Sequence, residues 1–144
     1  MIVPYKKFKG VKSITFRPAI VAKLIFKNRS VQTWGLLDSG ADRTLINKDI
    51  GQQLGIDFDN CRERKMTGIY GQPQPTWDTT IQLKVNGFDD VIFQADVSLI
   101  DSRNVGVLFG HTGFFEFFDV KLQTLRQQFE IELAVSPPRG INAF

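Results

Sequence analysis

The 144-residue sequence contains a single cysteine, Cys61, and a single histidine, His111. One cysteine excludes an internal disulfide framework. One Cys and one His cannot assemble a Cys/His zinc site within one chain. We expect no metal and no cofactor. No stretch approaches the roughly 20 apolar residues of a membrane-spanning helix, so no membrane partner is expected. The opening residues "MIVPYKKFKG" lack the apolar core of a secretory signal. With Met1 in front, they lead us to expect an independent gene product in a soluble, reducing, cytoplasmic setting. There is no low-complexity segment and no linker, and the length suits one domain spanning 1–144. What is abundant is apolar surface: 42% of the residues, including 13 Phe, enough for a substantial core and against disorder. Eighteen Lys and Arg against 15 acids leave a net charge of +3, short of a nucleic-acid-binding signature. The short basic run "KKFKGVK" (6–12) reads as a solvated face. Its phosphate-neutralising footprint is small, and nucleic acid is not expected as a partner.

Alternation dominates the pattern. Residues 18–27, "PAIVAKLIFK", and 31–37, "VQTWGLL", read as two strands of a hairpin around the turn residues 28–30. A short strand follows at 44–46. Asn47 can then cap a helix on which Ile46, Ile50 and Leu54 recur every four residues, with Gly55 to end it. The clearest period of two puts Trp77, Thr79, Ile81, Leu83 and Val85 on one face. Val91, Phe93, Ala95, Val97 and Leu99 repeat it after the turn "NGFDD" (86–90). Val120 and Leu122 pair with Phe129, Ile131, Leu133 and Val135 in a last hairpin. A second short helix is expected over 111–118, "HTGFFEFF". It is so apolar that only Glu116 looks outward, so it is either wholly buried or set against another subunit. The tail 136–144 reads as extended. About eight strands and two short helices make an all-β sandwich or barrel.

"LLDSGA" (36–41) stands out. Leu36 and Leu37 anchor the segment in the core and deliver Asp38 at a strand end, where a rigid scaffold can aim it. Gly40 has no Cβ, so its N–H can approach a carboxylate closely. Ser39 offers a hydroxyl to a neighbouring loop, and Ala41 keeps the surroundings small. Taken alone, Asp-Ser-Gly is also an ordinary Asx turn.

The longer stretch "GLLDSGADRTLI" (35–46) resembles the active-site segment of retropepsin-like aspartic proteases. About 70 residues later, "VGVLFGHTGFFEFFDVKL" (105–122) resembles that family's second signature, two apolar residues and a glycine opening a short helix. The likeness covers about residues 18–135. It implies a closed, β-barrel-like retropepsin domain that dimerises, because each chain supplies one Asp-Ser-Gly and the reaction needs two carboxylates. It implies that Asp38 is the catalytic residue. One Asp38 of the pair holds a proton and donates to the scissile carbonyl; the other stays charged and takes a proton from water. The partner is then a peptide or protein substrate. Ser39 matches the residue that bonds across to the partner loop, Gly40 the one facing substrate, and Asp42 the acid that binds substrate backbone. Asp42 can equally pair with Arg43 or cap the loop.

The resemblance also makes "GIYG", Gly68, Ile69, Tyr70 and Gly71, the tip of a flap that closes over substrate, which can otherwise be an ordinary hairpin loop. Prolines 73 and 75 stiffen it. One departure is His111, standing where many members carry an Arg between subunits; it reads otherwise as a helix-start residue. A serine-hydrolase reading of Ser39 fails, since the surroundings lack the G-x-S-x-G elbow. The expected function is an aspartic endopeptidase. The alternatives are a non-catalytic dimerisation or peptide-binding protein of the same fold and, from a different class, a small basic β-domain that binds nucleic acid.

Overall fold

A computed structural model describes residues 1–67, 72–134 and 141–143, the last three by their backbone. The chain opens with three short strands that the sequence pattern did not announce: β1 (Ile2–Pro4), β2 (Lys6–Lys9) and β3 (Ile14–Arg17). β2 and β3 pair with each other in a two-stranded antiparallel ribbon. All four residues of β3 are exposed, so no buried face imposed a period of two on them.

The expected hairpin is β4 (Ala19–Phe26) and β5 (Arg29–Leu37). Its turn falls on Lys27–Asn28, one residue before the expected place, with Lys27 at φ +52°. Next come β6 (Thr44–Asn47) and α1 (Lys48–Gln53), the single α-helix among the described residues. Asn47 caps α1 as anticipated, its side chain accepting the Asp49 N–H at 2.8 Å. Gly55, at φ +74°, ends it: its N–H donates to the Gln52 carbonyl, and the Ile56 N–H to that of Gly51.

β7 (Arg62–Met66), β8 (Gln74–Val85), β9 (Val91–Ile100), β10 (Val107–Phe109), β11 (Phe118–Gln123), β12 (Gln128–Leu133) and β13 (Ile141–Ala143) complete the described strands. Six of them close on themselves in the order β9-β6-β10-β5-β4-β8, with β8 pairing back to β9. The result is a mixed barrel, because β6–β9 and β5–β10 run parallel and the other pairs antiparallel. A closed barrel leaves no free edge among its members. β7 continues the sheet beyond β8, and β13, taken from the tail expected to be extended, adds to β9. β1, β12 and β11 form a separate three-stranded sheet. Leu122 and Leu133 of its hairpin stay exposed, on the edge strand and at a strand end. Val135, residues 136–140, Phe144 and residues 68–71, expected as the tip of a flap, lie outside the described residues.

The barrel interior holds Ile81, Leu83 and Val85 of β8 and Phe93, Ala95, Val97 and Leu99 of β9, all at most 2% exposed. The alternation blurs at the start of β8, where Thr76 is buried and Trp77 half-buried.

Residues 111–118 are not a helix. They form successive turns in which the N–H groups of Phe115 and Glu116 reach five residues back, to the carbonyls of Gly110 and His111. Gly113 is the reason: it adopts φ +95°, outside the right-handed helical region. It is also packed so tightly that a Cβ there would lie 2.7 Å from the Asp96 carbonyl oxygen. The phenylalanines are nonetheless buried. Phe114 stacks on Phe109 at 4.4 Å between ring centroids, and Phe117 on Phe93 at 4.7 Å. Within one chain the core therefore accounts for the apolarity of Phe114, Phe117 and Phe118.

β10 does most to position the candidate site. It enters between β5 and β6, with Phe109 opposite Leu37 and Leu108 opposite Leu45. Gly110 follows, and no larger residue fits: a Cβ there would lie 2.5 Å from the Arg43 oxygen and 2.7 Å from that of Ala41. The Gly110 N–H donates to Thr44 Oγ1 at 3.1 Å, in a buried environment.

Cys61 follows a short 3-10 turn, Phe58–Asn60, and its thiol lies 3.5 Å from the Asp57 carbonyl. Burial pushes the thiol above its ordinary range; the Thr79 hydrogen bond acts the other way, and Asp57 and Asp78 add to the rise. Less thiolate is present at a given pH, so Cys61 in the folded chain should be alkylated more slowly at pH 8 than in urea. An equal rate would contradict its burial. Phe114→Ala should destabilise the fold by about 3–5 kcal/mol, measured by urea unfolding, while Phe115→Ala costs clearly less. Thr44→Val strands the Gly110 N–H and should cost about 1–3 kcal/mol. Wild-type stability in that variant would show that the bond does not support the loop.

Candidate active site

The loop 38–43 joins β5 to β6 across the end of β10. The Asp38 N–H donates to the Phe109 carbonyl at 3.0 Å, continuing the β5–β10 pairing by one residue past Leu37. The Ala41 N–H donates to the Asp38 carbonyl at 3.1 Å, closing a four-residue turn. Within it, Asp38 Oδ1 accepts the Gly40 N–H at 2.9 Å. This is the Asx turn and the glycine approach at once, so the two readings of the motif describe one geometry. A Cβ on residue 40 would lie 3.2 Å from the same oxygen. Asp38 is half-buried; Ser39 and Gly40 are exposed.

The opposite side of the loop is laced to the turn after β10. The His111 N–H donates to the Ala41 carbonyl, the Thr112 N–H to that of Asp42, and the Thr44 N–H to that of Thr112, at 2.8–3.0 Å. The His111 ring also folds back: Nε2 lies 2.6 Å from the Ser39 carbonyl oxygen. A carbonyl can only accept, so Nε2 carries the proton. His111 thus touches the loop, which a helix-start residue need not do. Only its position after Gly110 could have signalled this. Its contact is with the Ser39 carbonyl and not with the hydroxyl, so the two do not form a nucleophile–base pair. Among the described residues the Ser39 hydroxyl has no hydrogen-bond partner.

Asp42 is exposed, and its carboxylate does not pair with Arg43. Arg43 turns the other way and donates from Nε to Ser98 Oγ at 3.0 Å. Ser98, 2% exposed, donates to Asp78 Oδ1 at 2.7 Å, and Asp78 Oδ2 forms an ion pair with the Arg64 guanidinium, without hydrogen-bond geometry at Nε. This relay ties the loop to β9, β8 and β7 and leaves Asp42 free to face outward. Sequence reasoning missed it, because the four residues are separated by 55, 20 and 14 positions and none carries a motif.

Between the loop and β7 lies an open cavity of about 530 Å³, lined among others by Gly40, Ala41, Asp42, Met66 and Thr67. Asp38, Ser39, Gly40, Ala41 and Asp42 therefore sit together, next to the strand that leads into residues 68–71. Gly68, Ile69, Tyr70 and Gly71 themselves lie outside the described residues. Among the described residues no cluster of three His, Cys, Asp or Glu could hold a metal ion, and no helix is long and apolar enough to cross a membrane.

No curated protein matches the sequence. Among solved structures, a retropepsin-like aspartic protease from Rickettsia conorii is similar, with a TM-score of 0.61 and 13% identity over 90% of this chain and 86% of that one. At that identity the likeness speaks for the fold. A family model described as aspartyl protease matches residues 10–111, a span that holds the Asp38 loop, the strand leading to residues 68–71 and Gly110. The chain has a retropepsin-like barrel and belongs to the aspartyl protease family.

Proposed function

We propose that the chain is an aspartic endopeptidase that works as a homodimer, with Asp38 of each copy in one reaction centre. The observation that carries this reading is the Asp38 carboxylate held at the end of β5, its Oδ1 fixed by the Gly40 N–H and its backbone fixed by Phe109, beside an open cavity. A carboxylate so constrained is aimed without needing a second side chain of its own subunit. A two-fold axis at the loop would bring a second Asp38 against it. Two carboxylates that close share a proton. The ionised one takes a proton from water, the water oxygen bonds to the scissile carbonyl carbon, and the protonated one donates to the carbonyl oxygen. The tetrahedral diol then breaks its C–N bond as the amine leaves with a proton. No covalent link to the enzyme forms. The unpartnered Ser39 hydroxyl is available to bond across the axis, and the outward Asp42 to hold a substrate backbone N–H. We place Gly68, Ile69, Tyr70 and Gly71 over the cleft as its flap, and the protein in the cytoplasm.

A non-catalytic role in dimerisation or peptide binding is the second reading, and it rests on the single Asp-Ser-Gly in each chain. Asp38→Asn separates the two. Cleavage of a mixed peptide library between pH 4 and 8 should fall by about 10²–10⁴-fold or vanish, while sedimentation still reports the wild-type assembly. A wild-type chain that cuts no peptide in that range removes the enzymatic reading.

A further inference from the structure

The His111 contact with the Ser39 carbonyl and the Gly40 contact with Asp38 Oδ1 are made by the two ends of one peptide group. Its oxygen belongs to Ser39 and faces His111 Nε2 at 2.6 Å. Its N–H belongs to Gly40 and donates to Asp38 Oδ1 at 2.9 Å. A planar, conjugated peptide does not tilt at one end without tilting at the other. A donor at the oxygen also draws electron density towards it and makes the N–H the stronger donor, which is how hydrogen bonds in a row reinforce one another. The imidazole is anchored for this task. The His111 backbone N–H donates to the Ala41 carbonyl at 3.0 Å, and its carbonyl accepts the Glu116 N–H at 3.1 Å. Its ring lies against Phe115, with 5.5 Å between ring centres. Residue 111 therefore grips the Asp38 turn at two carbonyls, those of Ser39 and Ala41, on either side of Gly40. Asp38 Oδ2, by contrast, has no hydrogen-bond partner among the described residues.

We propose that His111 is a positioning residue for Asp38, acting on the carboxylate through the Ser39–Gly40 peptide without touching it. The Nε2 proton fixes the plane of that peptide, and the plane aims the Gly40 N–H. The N–H in turn commits Oδ1 to the turn and leaves Oδ2 for proton transfer. No proton travels this path, because the peptide N–H does not ionise; the effect is one of orientation and polarisation. Both hydrogen bonds are exposed to solvent, so water can satisfy the Ser39 carbonyl when the ring is removed. A water molecule is not anchored to Ala41 and Phe115, however, and does not hold the plane. The coupling between His111 and Asp38 is inferred from geometry alone; its effect on a reaction rests on the protease reading.

The sequence allows a direct test by NMR. Ser39–Gly40 is its only Ser-Gly step and His111 its only histidine. Serine labelled at the carbonyl carbon, together with glycine labelled at nitrogen, therefore selects this one peptide in the full chain. His111→Ala should move the Ser39 carbonyl and the Gly40 amide proton upfield together. His111→Gln, whose amide nitrogen stands as many bonds from Cα as Nε2, should restore both; His111→Asn, one bond shorter, should not. Asp38→Asn should move the ring Nε2 resonance of His111, because polarisation along the path runs both ways. That measurement keeps His111 in place and decides the matter if the His111 variants fail to fold. The proposal is overturned by a Ser39 carbonyl that moves while the Gly40 proton stays, by equal shifts in the Gln and Ala variants, or by a ring resonance indifferent to Asp38→Asn. On any peptide that the wild type cuts, His111→Ala should lower kcat roughly three- to tenfold at constant KM, and His111→Gln should recover most of the loss. A raised KM at constant kcat makes His111 a substrate contact instead and also overturns it. Coupled resonances in a chain that cuts nothing leave the relay and sink the protease reading; cleavage without coupling does the reverse.

Discussion

The insertion of β10 between β5 and β6 is the constraint on which the rest depends. Two strands that flank a loop could pair with each other and leave that loop projecting freely. Here a third strand holds them apart, so the loop must span its end. That span is what allows the Asp38 N–H to find the Phe109 carbonyl and the carbonyls of Ala41 and Asp42 to find the turn after Gly110. The contact tolerates no side chain on residue 110, because the backbone of Ala41–Arg43 already occupies that space. Two apolar residues and a glycine make a common motif, yet the steric requirement at Gly110 is stricter than that at Gly40, where a Cβ would meet only the Asp38 carboxylate at 3.2 Å.

Polar groups in such a crossing must find partners within the chain. Thr44 satisfies the buried Gly110 N–H with its hydroxyl, and Ser98 passes a hydrogen bond from Arg43 to Asp78. The Arg43–Ser98–Asp78–Arg64 relay links the loop to β9, β8 and β7, and Arg43, Ser98 and Arg64 line the cavity beside the loop. His111 belongs to the same framework through the Ser39 carbonyl. Its imidazole closes on the loop of its own chain.

The N-terminal ribbon is the least expected part of the fold. A two-stranded hairpin is marginal in isolation. This one is held by the stack of Lys6 on Phe8 and Trp34, and next to it the Tyr5 N–H donates to the Gln127 carbonyl at 2.7 Å. Its first strand precedes the segment that the aspartyl protease model matches. A barrel of the family's type thus carries a basic, aromatic wall beside the strand that delivers Asp38.

Much of this was legible in the residues themselves. Alternation marked β4, β5, β8 and β9, since a strand with one face on a core must repeat every second residue. Asn47 and Gly55 bracketed α1 because capping is local chemistry. The Asp38–Gly40 contact spans two residues and needed no tertiary information. Local signals failed where distant segments set the outcome. Residues 111–118 have helical apolarity, yet Gly113 is held at positive φ by packing against β9 and Thr44. The four exposed residues of β3 had no buried face to imprint a period. Likewise, the sequence by itself placed an acid at a strand end and a glycine beyond another strand. Only the tertiary structure put β10 between them, because strand order is decided by which faces share a core and not by any neighbour along the chain.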